Sequence, residues 1–134
     1  MTSNQNPIIH AYTREHAFED GTLVNLSTTP EWKQAGFVTP VACTRAVWDQ
    51  FIEWTDEDSN RQTYQDQTGR LWDVLFMLSL AIRARGNGNV LHYELHVVPR
   101  GGRGRMARRT VLKALCGPGD YAEPVITIML PNED

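Results

Sequence analysis

Cysteine is scarce: Cys43 and Cys116 are the only two, 73 positions apart. Such a pair builds no disulfide framework and lacks zinc-ligand spacing, so a reducing cytoplasm and buried free thiols are expected. Long hydrophobic runs are also missing. The longest covers residues 74–82, is interrupted by Ser79 and is bounded by Asp73 and Arg83, far short of a membrane span. The opening MTSNQNPIIHAYTREHAF has neither a basic leader nor an apolar stretch suited to secretion, so a soluble, cytoplasmic protein with no membrane contact is expected. No internal repeat, low-complexity tract, serine nucleophile elbow, Walker loop or dinucleotide fingerprint occurs, and GRGRMA has the wrong spacing and does not open a helix. These absences leave no motif for a serine hydrolase of the nucleophile-elbow kind, a P-loop enzyme or a dinucleotide-binding enzyme, and no cofactor is expected.

What is present suits one core. Apolar residues make up 41% of the 134, enough for a single interior, and no composition shift marks a second unit, so residues 1–134 are expected to form one globular domain. The net charge is only -3, but it is segregated. Residues 1–75 hold 11 acids against 5 bases, whereas residues 76–134 hold 5 acids against 8 bases. Between positions 83 and 113 eight cationic residues face only Glu94, an electropositive edge on an acidic protein.

The element pattern changes along the chain. A first helix is expected after Thr13, ending before Asp20-Gly21, with TLVNLS as a short strand after it. Thr29 can cap a second short helix, Pro30 suits its first position, and Gly36 can take the left-handed conformation past its end. Residues 37–42 read as extended. Thr44 can cap a helix carrying Val47, Phe51 and Trp54 as one inward stripe. The main core helix is expected over 70–85, with Leu71, Leu75, Leu78 and Ile82 on one face and Trp72, Val74 and Ala81 widening the stripe. Beyond it the period drops to 2: Leu91, Tyr93, Leu95 and Val97 alternate with His92, Glu94 and His96. RGNGN and RGGRGR read as turns, residues 109–116 and 124–130 as two further strands, and Gly117-Pro118-Gly119-Asp120 as a type II turn. The fold class is therefore α+β, an antiparallel sheet of three C-terminal strands plus short N-terminal ones, packed against two main helices.

The stretch LHYELHVVPRGGRGRMARR raises the functional question. Residues two apart on a strand share a face, but each advances roughly 3.3 Å, which puts the His92 and His96 Cα atoms about 13 Å apart. One ion can hardly serve both, since a histidine holds its metal only about 6 Å from its own Cα. Further ligands would have to come from elsewhere, such as His16 and Asp20, so no metal site is expected. A Cys116 and His96 dyad has no third member. The arginines carry more weight. Arg100, Arg103, Arg105, Arg108 and Arg109 around three glycines can grip a phosphate backbone or an anionic protein, although no aromatic between Val98 and Leu115 offers base stacking.

The acidic side has a rival surface: Glu53, Asp56, Glu57 and Asp58 gather close to the end of a helix, where acids oppose the dipole and can imitate a phosphate backbone. Glu19 with Asp20, or Asp56 with Asp58, could be paired carboxylates for hydrolysis, but nothing supplies a partner. No catalytic residue is assigned.

The blocks AYTREHAFEDGTLVNLS, EWKQAGFVTPVACTRAVWDQFIEWTDED, QTYQDQTGRLWDVLFMLSLAIR and CGPGDYAEPVITIMLPNED, in that order, resemble a family of short bacterial proteins known as a domain of unknown function. The region least like the family is 86–112, which holds the arginine loop. The resemblance implies cargo of plasmids, phages and integrative elements, with accessory roles that include counter-defence. A non-catalytic protein that binds a host protein or nucleic acid is the expected function; a small metal-dependent nuclease or hydrolase is the alternative.

Overall fold

The computed structural model describes residues 12–85 and 88–134, so the turn expected around residues 85–89 lies partly outside the described residues. Helix α1 spans Arg14–Asp20: Thr13 accepts from the His16 N–H at 3.0 Å, and Gly21 ends it at φ 83°. Strand β1 (Leu23–Asn25) follows, then α2 (Pro30–Gln34), where Thr29 caps, Pro30 opens the helix, and Gly36 takes φ 92°. These short elements follow their cap residues as expected.

Strand β2 covers Val41–Thr44, starting later than the extended stretch expected over 37–42. Thr44 then caps α3 (Arg45–Val47), which widens into a π turn over Trp48–Ile52, closed by the Glu53 N–H on the Trp48 carbonyl at 2.8 Å. The expected stripe of Val47, Phe51 and Trp54 is buried, but the regular helix is not sustained to Trp54. One long helix therefore dominates instead of two. A wide turn frees carbonyls, and buried Arg70 collects two of them, donating to Gln50 O and Ile52 O at 3.1 Å each, while it also donates to Val98 O at 2.8 Å. Helix α4 spans Asp56–Arg61 and α5 Gln67–Arg85. Asp66 receives the Gly69 N–H at 2.7 Å, so α5 begins three residues before the expected position 70.

Strands β3 (Val90–Val97), β4 (Arg108–Pro118) and β5 (Pro124–Met129) complete a five-stranded sheet of order β1-β2-β5-β4-β3. The three C-terminal strands are antiparallel, but β2 lies parallel to β5, with Val41 beside Ile126 and Cys43 beside Ile128. The sheet is thus mixed, and the expectation of an all-antiparallel sheet is corrected. A parallel pair needs a long crossover, and here everything between Thr44 and Pro124 supplies it. The last hairpin also turns later than expected. Pro118 still pairs with Pro124, and the tip is closed by Gly119 N–H on Glu123 O at 2.7 Å, with Ala122 at φ 67°. Neither proline disturbs the ladder, because their pair falls between the hydrogen-bonded ones.

Helix α5 covers one sheet face. Leu71, Val74, Leu75 and Leu78 pack there with Val41, Cys43, Tyr93, Leu95, Leu112, Ala114 and Ile128 in one core cluster. Tyr93 donates its hydroxyl to Val74 O at 3.1 Å. On the opposite face Arg14 of α1 donates to Thr127 Oγ1 at 2.7 Å and to Ile126 O at 3.1 Å. Cys43 is buried as expected, and burial pushes its thiol up to about 12. Cys116, expected to be buried, is exposed: it sits one residue beyond Leu115, the β4 residue opposite the start of β3. No helix among the described residues is long and apolar enough to cross a membrane.

Candidate partner-binding surface

Of the four acids only Glu53 lies at the end of a helix, where it closes the π turn; the other three open the next one. Thr55 starts α4 with a capping box, accepting from the Asp58 N–H while its own N–H donates back to Asp58 Oδ2 at 2.9 Å. Asp56, Glu57 and Asp58 therefore occupy a first turn, where the dipole favours them, which reverses the expected opposition. The signal was present as T-x-x-D at Thr55 to Asp58. Asp56 and Glu57 are exposed, whereas Asp58 is only 1% exposed and is an interior group.

What holds Asp58 is Arg100 of the loop between β3 and β4. Its Nε donates to Asp58 Oδ2 at 2.8 Å, an NH donates to Glu53 Oε1 at 3.2 Å, and its backbone N–H reaches Gln50 O at 3.0 Å. Arg61 and the Thr55 hydroxyl also donate to Asp58, each at 2.9 Å. Burial pushes the Asp58 carboxyl up, but the hydrogen bonds from Arg100 and Thr55 outweigh it and hold the group well below the usual carboxylate range. The basic loop and the acidic segment, expected as rival surfaces, are joined at this contact.

A second buried group sets the loop's shape. Gln62, 3% exposed, donates its amide N–H groups to Pro99 O at 3.0 Å and Gly104 O at 2.8 Å, and accepts from the Gly101 N–H at 3.0 Å. Gly101 sits at φ 93°, a conformation suited to glycine. Next to it Arg70 stacks on Trp54, 4.4 Å from the ring centre, and burial lowers its guanidinium to about 10, still protonated at neutral pH. Gln62 and Arg70 were not expected as loop supports. Nothing local in the sequence marks them, because their partners are backbone groups 37 and 28 residues away.

The five arginines thus separate by role. Arg100 is an internal anchor, and Arg109 pairs across the strands with Glu94 on the exposed face. Arg103, Arg105 and Arg108 are exposed, and among the described residues their side chains make no ion pair or hydrogen bond. A small cavity of about 140 Å³ lies between Pro99, Gly102, Arg103, Gly104 and Arg108.

His92, Glu94 and His96 all lie exposed on one face of β3. Asp20 is engaged by Tyr12 and Thr22, and no group of three His, Cys, Asp or Glu side chains suited to a metal occurs among the described residues. His96 faces Arg109, seven positions along β4 from Cys116, so the structure does not bring His96 and Cys116 together as a dyad.

Residues 2–134 match the model of a family of unknown function, DUF6573. The chain belongs to this family. No curated protein and no solved structure matches it.

Proposed function

We propose that this DUF6573 member is a non-catalytic binding protein that occupies an anionic surface of a host macromolecule through the 98–107 loop. The observation that carries the reading is the anchoring of that loop. Arg100 and Gln62 fix its backbone from beneath with buried polar contacts, while Arg103, Arg105 and Arg108 project outward without internal partners. A fixed backbone lowers the ordering cost of binding, and guanidinium groups suit phosphate or carboxylate. The exposed acids Asp56 and Glu57 flank the loop's anchor and disfavour an indiscriminate polyanion grip, which supports a shaped partner. The accessory setting that goes with this reading is cargo of a bacterial mobile element, with counter-defence among its roles.

The test is a titration of wild type and an Arg103→Glu/Arg105→Glu variant against generic duplex and single-stranded DNA, and against host proteins co-purified with the wild type. The variant should bind much more weakly. A nucleic-acid partner should show affinity falling with salt at a slope set by about three neutralised phosphates, and a protein partner should resist competition by free DNA. Equal binding by both variants overturns the reading.

A further inference from the structure

Strand β3 ends the sheet, and among the described residues no strand lies on its far side. The Cys116 N–H donates to Asn89 O at 2.8 Å, which makes these two a hydrogen-bonded pair of the antiparallel ladder. Such pairs recur at every second position, so Leu91, Tyr93, Leu95 and Val97 direct their backbone groups to β4. Val90, His92, Glu94 and His96 direct theirs outward. Among the described residues these four outward backbone positions have no partner.

Natural sheets guard long edges with lysine, proline, bulges or brevity. β3 is weakly guarded: its one charged residue, Glu94, is paired with Arg109 of β4, and the strand runs eight residues, contains no lysine or proline, and keeps continuous register from Val90↔Leu115 to Val97↔Arg108. The other edge, β1, is only three residues long. Beside the β3 edge a groove of about 340 Å³ opens between Leu80, Ala81 and Ala84 of α5 and Leu91 and Tyr93 of β3, with His92 and Glu94 also in its lining. Leu80 is 39% exposed there.

The charge pattern of the strand selects its occupant. Around a two-fold axis at His92 that residue would face itself, and around one at Glu94 two carboxylates would meet. An axis at Tyr93 matches all four outward residues within the strand: His92 faces Glu94 of the other copy, and Val90 faces His96. We infer that the β3 edge is a homodimer interface, in which two copies join β3 to β3 antiparallel about Tyr93 and the two five-stranded sheets become one. The four facing pairs exchange about eight backbone hydrogen bonds. The α5 helices flank the axis on one face, where Ala81 and Ala84 leave room for approach. This inference rests on the sheet edge alone and stands whatever the arginine loop binds.

Light scattering and sedimentation of the full chain over a micromolar concentration series test it. Wild type should have twice the chain mass. His92→Pro removes one outward N–H and leaves the β4 ladder intact, so it should be a folded monomer by circular dichroism. His92→Glu sets like charges opposite each other and should raise the dissociation constant by more than about tenfold. The exchanged variant, His92→Glu with Glu94→His, restores opposite partners and should dimerise again. A monomeric wild type, dimers that ignore both single changes, or an exchanged variant that stays monomeric each overturn the inference.

Discussion

Arg100 Nε lies 2.8 Å from Asp58 Oδ2, and this contact ties the loop after β3 to the first turn of α4. The carboxylate is 1% exposed and the guanidinium about one quarter exposed, so the pair closes one side of the interior while its charge remains local. A buried carboxylate that loses a charged donor retains its desolvation cost. Arg61 continues to donate to Asp58, which limits the damage. Arg100→Ala should therefore destabilise by about 2 kcal/mol in urea unfolding. Arg103→Ala, at an exposed side chain without partners, should change stability by less than about 0.5 kcal/mol. Equal effects at the two positions would remove the distinction between anchor and display.

The same carboxylate sets an acid limit. Its value in the folded state is depressed, so its contribution is present above the ordinary carboxylate value and is lost as pH falls toward the folded value. Wild-type stability should decline below about pH 5. Asp58→Asn should be less stable at neutral pH and should show a flatter decline over the acid range. Urea midpoints at stepped pH measure both; parallel slopes for the two proteins would contradict the assignment.

Leu75 is fully buried in the middle of α5, within the cluster that includes Tyr93, Leu112 and Ile128. Leu75→Ala leaves a cavity as well as losing transfer energy, so a loss of about 2–5 kcal/mol is expected. A change under about 0.5 kcal/mol in chemical denaturation would mean that α5 does not cover the sheet as described.

The elements that could be read from the sequence are those governed by neighbouring residues. Thr13, Thr29 and Thr44 cap helices where their local chemistry places them, and the alternation from Leu91 to Val97 separates core from solvent as drawn. The parallel alignment of β2 with β5 was hidden because strand direction depends on the intervening chain of helices, not on either strand. The π turn was hidden for a related reason: the carbonyls freed at Gln50 and Ile52 are satisfied by Arg70, about 20 residues further on. At the candidate surface, the arginines and acids were legible as charge. Their joining through Arg100 and Asp58 was not, because a single sequence carries no signal for contacts 42 residues apart.

Gln62 offers a way to separate the shape of the loop from its charge. One buried amide holds Pro99 O, Gly104 O and the Gly101 N–H, so Gln62→Ala leaves every arginine in place while removing the support beneath them. Loosening the loop restores the ordering cost of binding, and affinity for the anionic partner should fall by about tenfold. The melting temperature should also drop, because buried backbone groups lose their partners. Combined with Arg103→Glu/Arg105→Glu, the Gln62→Ala change should add little further loss of affinity, since a loop without its charges gains nothing from being held. That non-additivity is read from a double-mutant cycle in the same titration. Unchanged affinity for Gln62→Ala would mean that the arginines act as diffuse charge and that the buried amide serves folding alone.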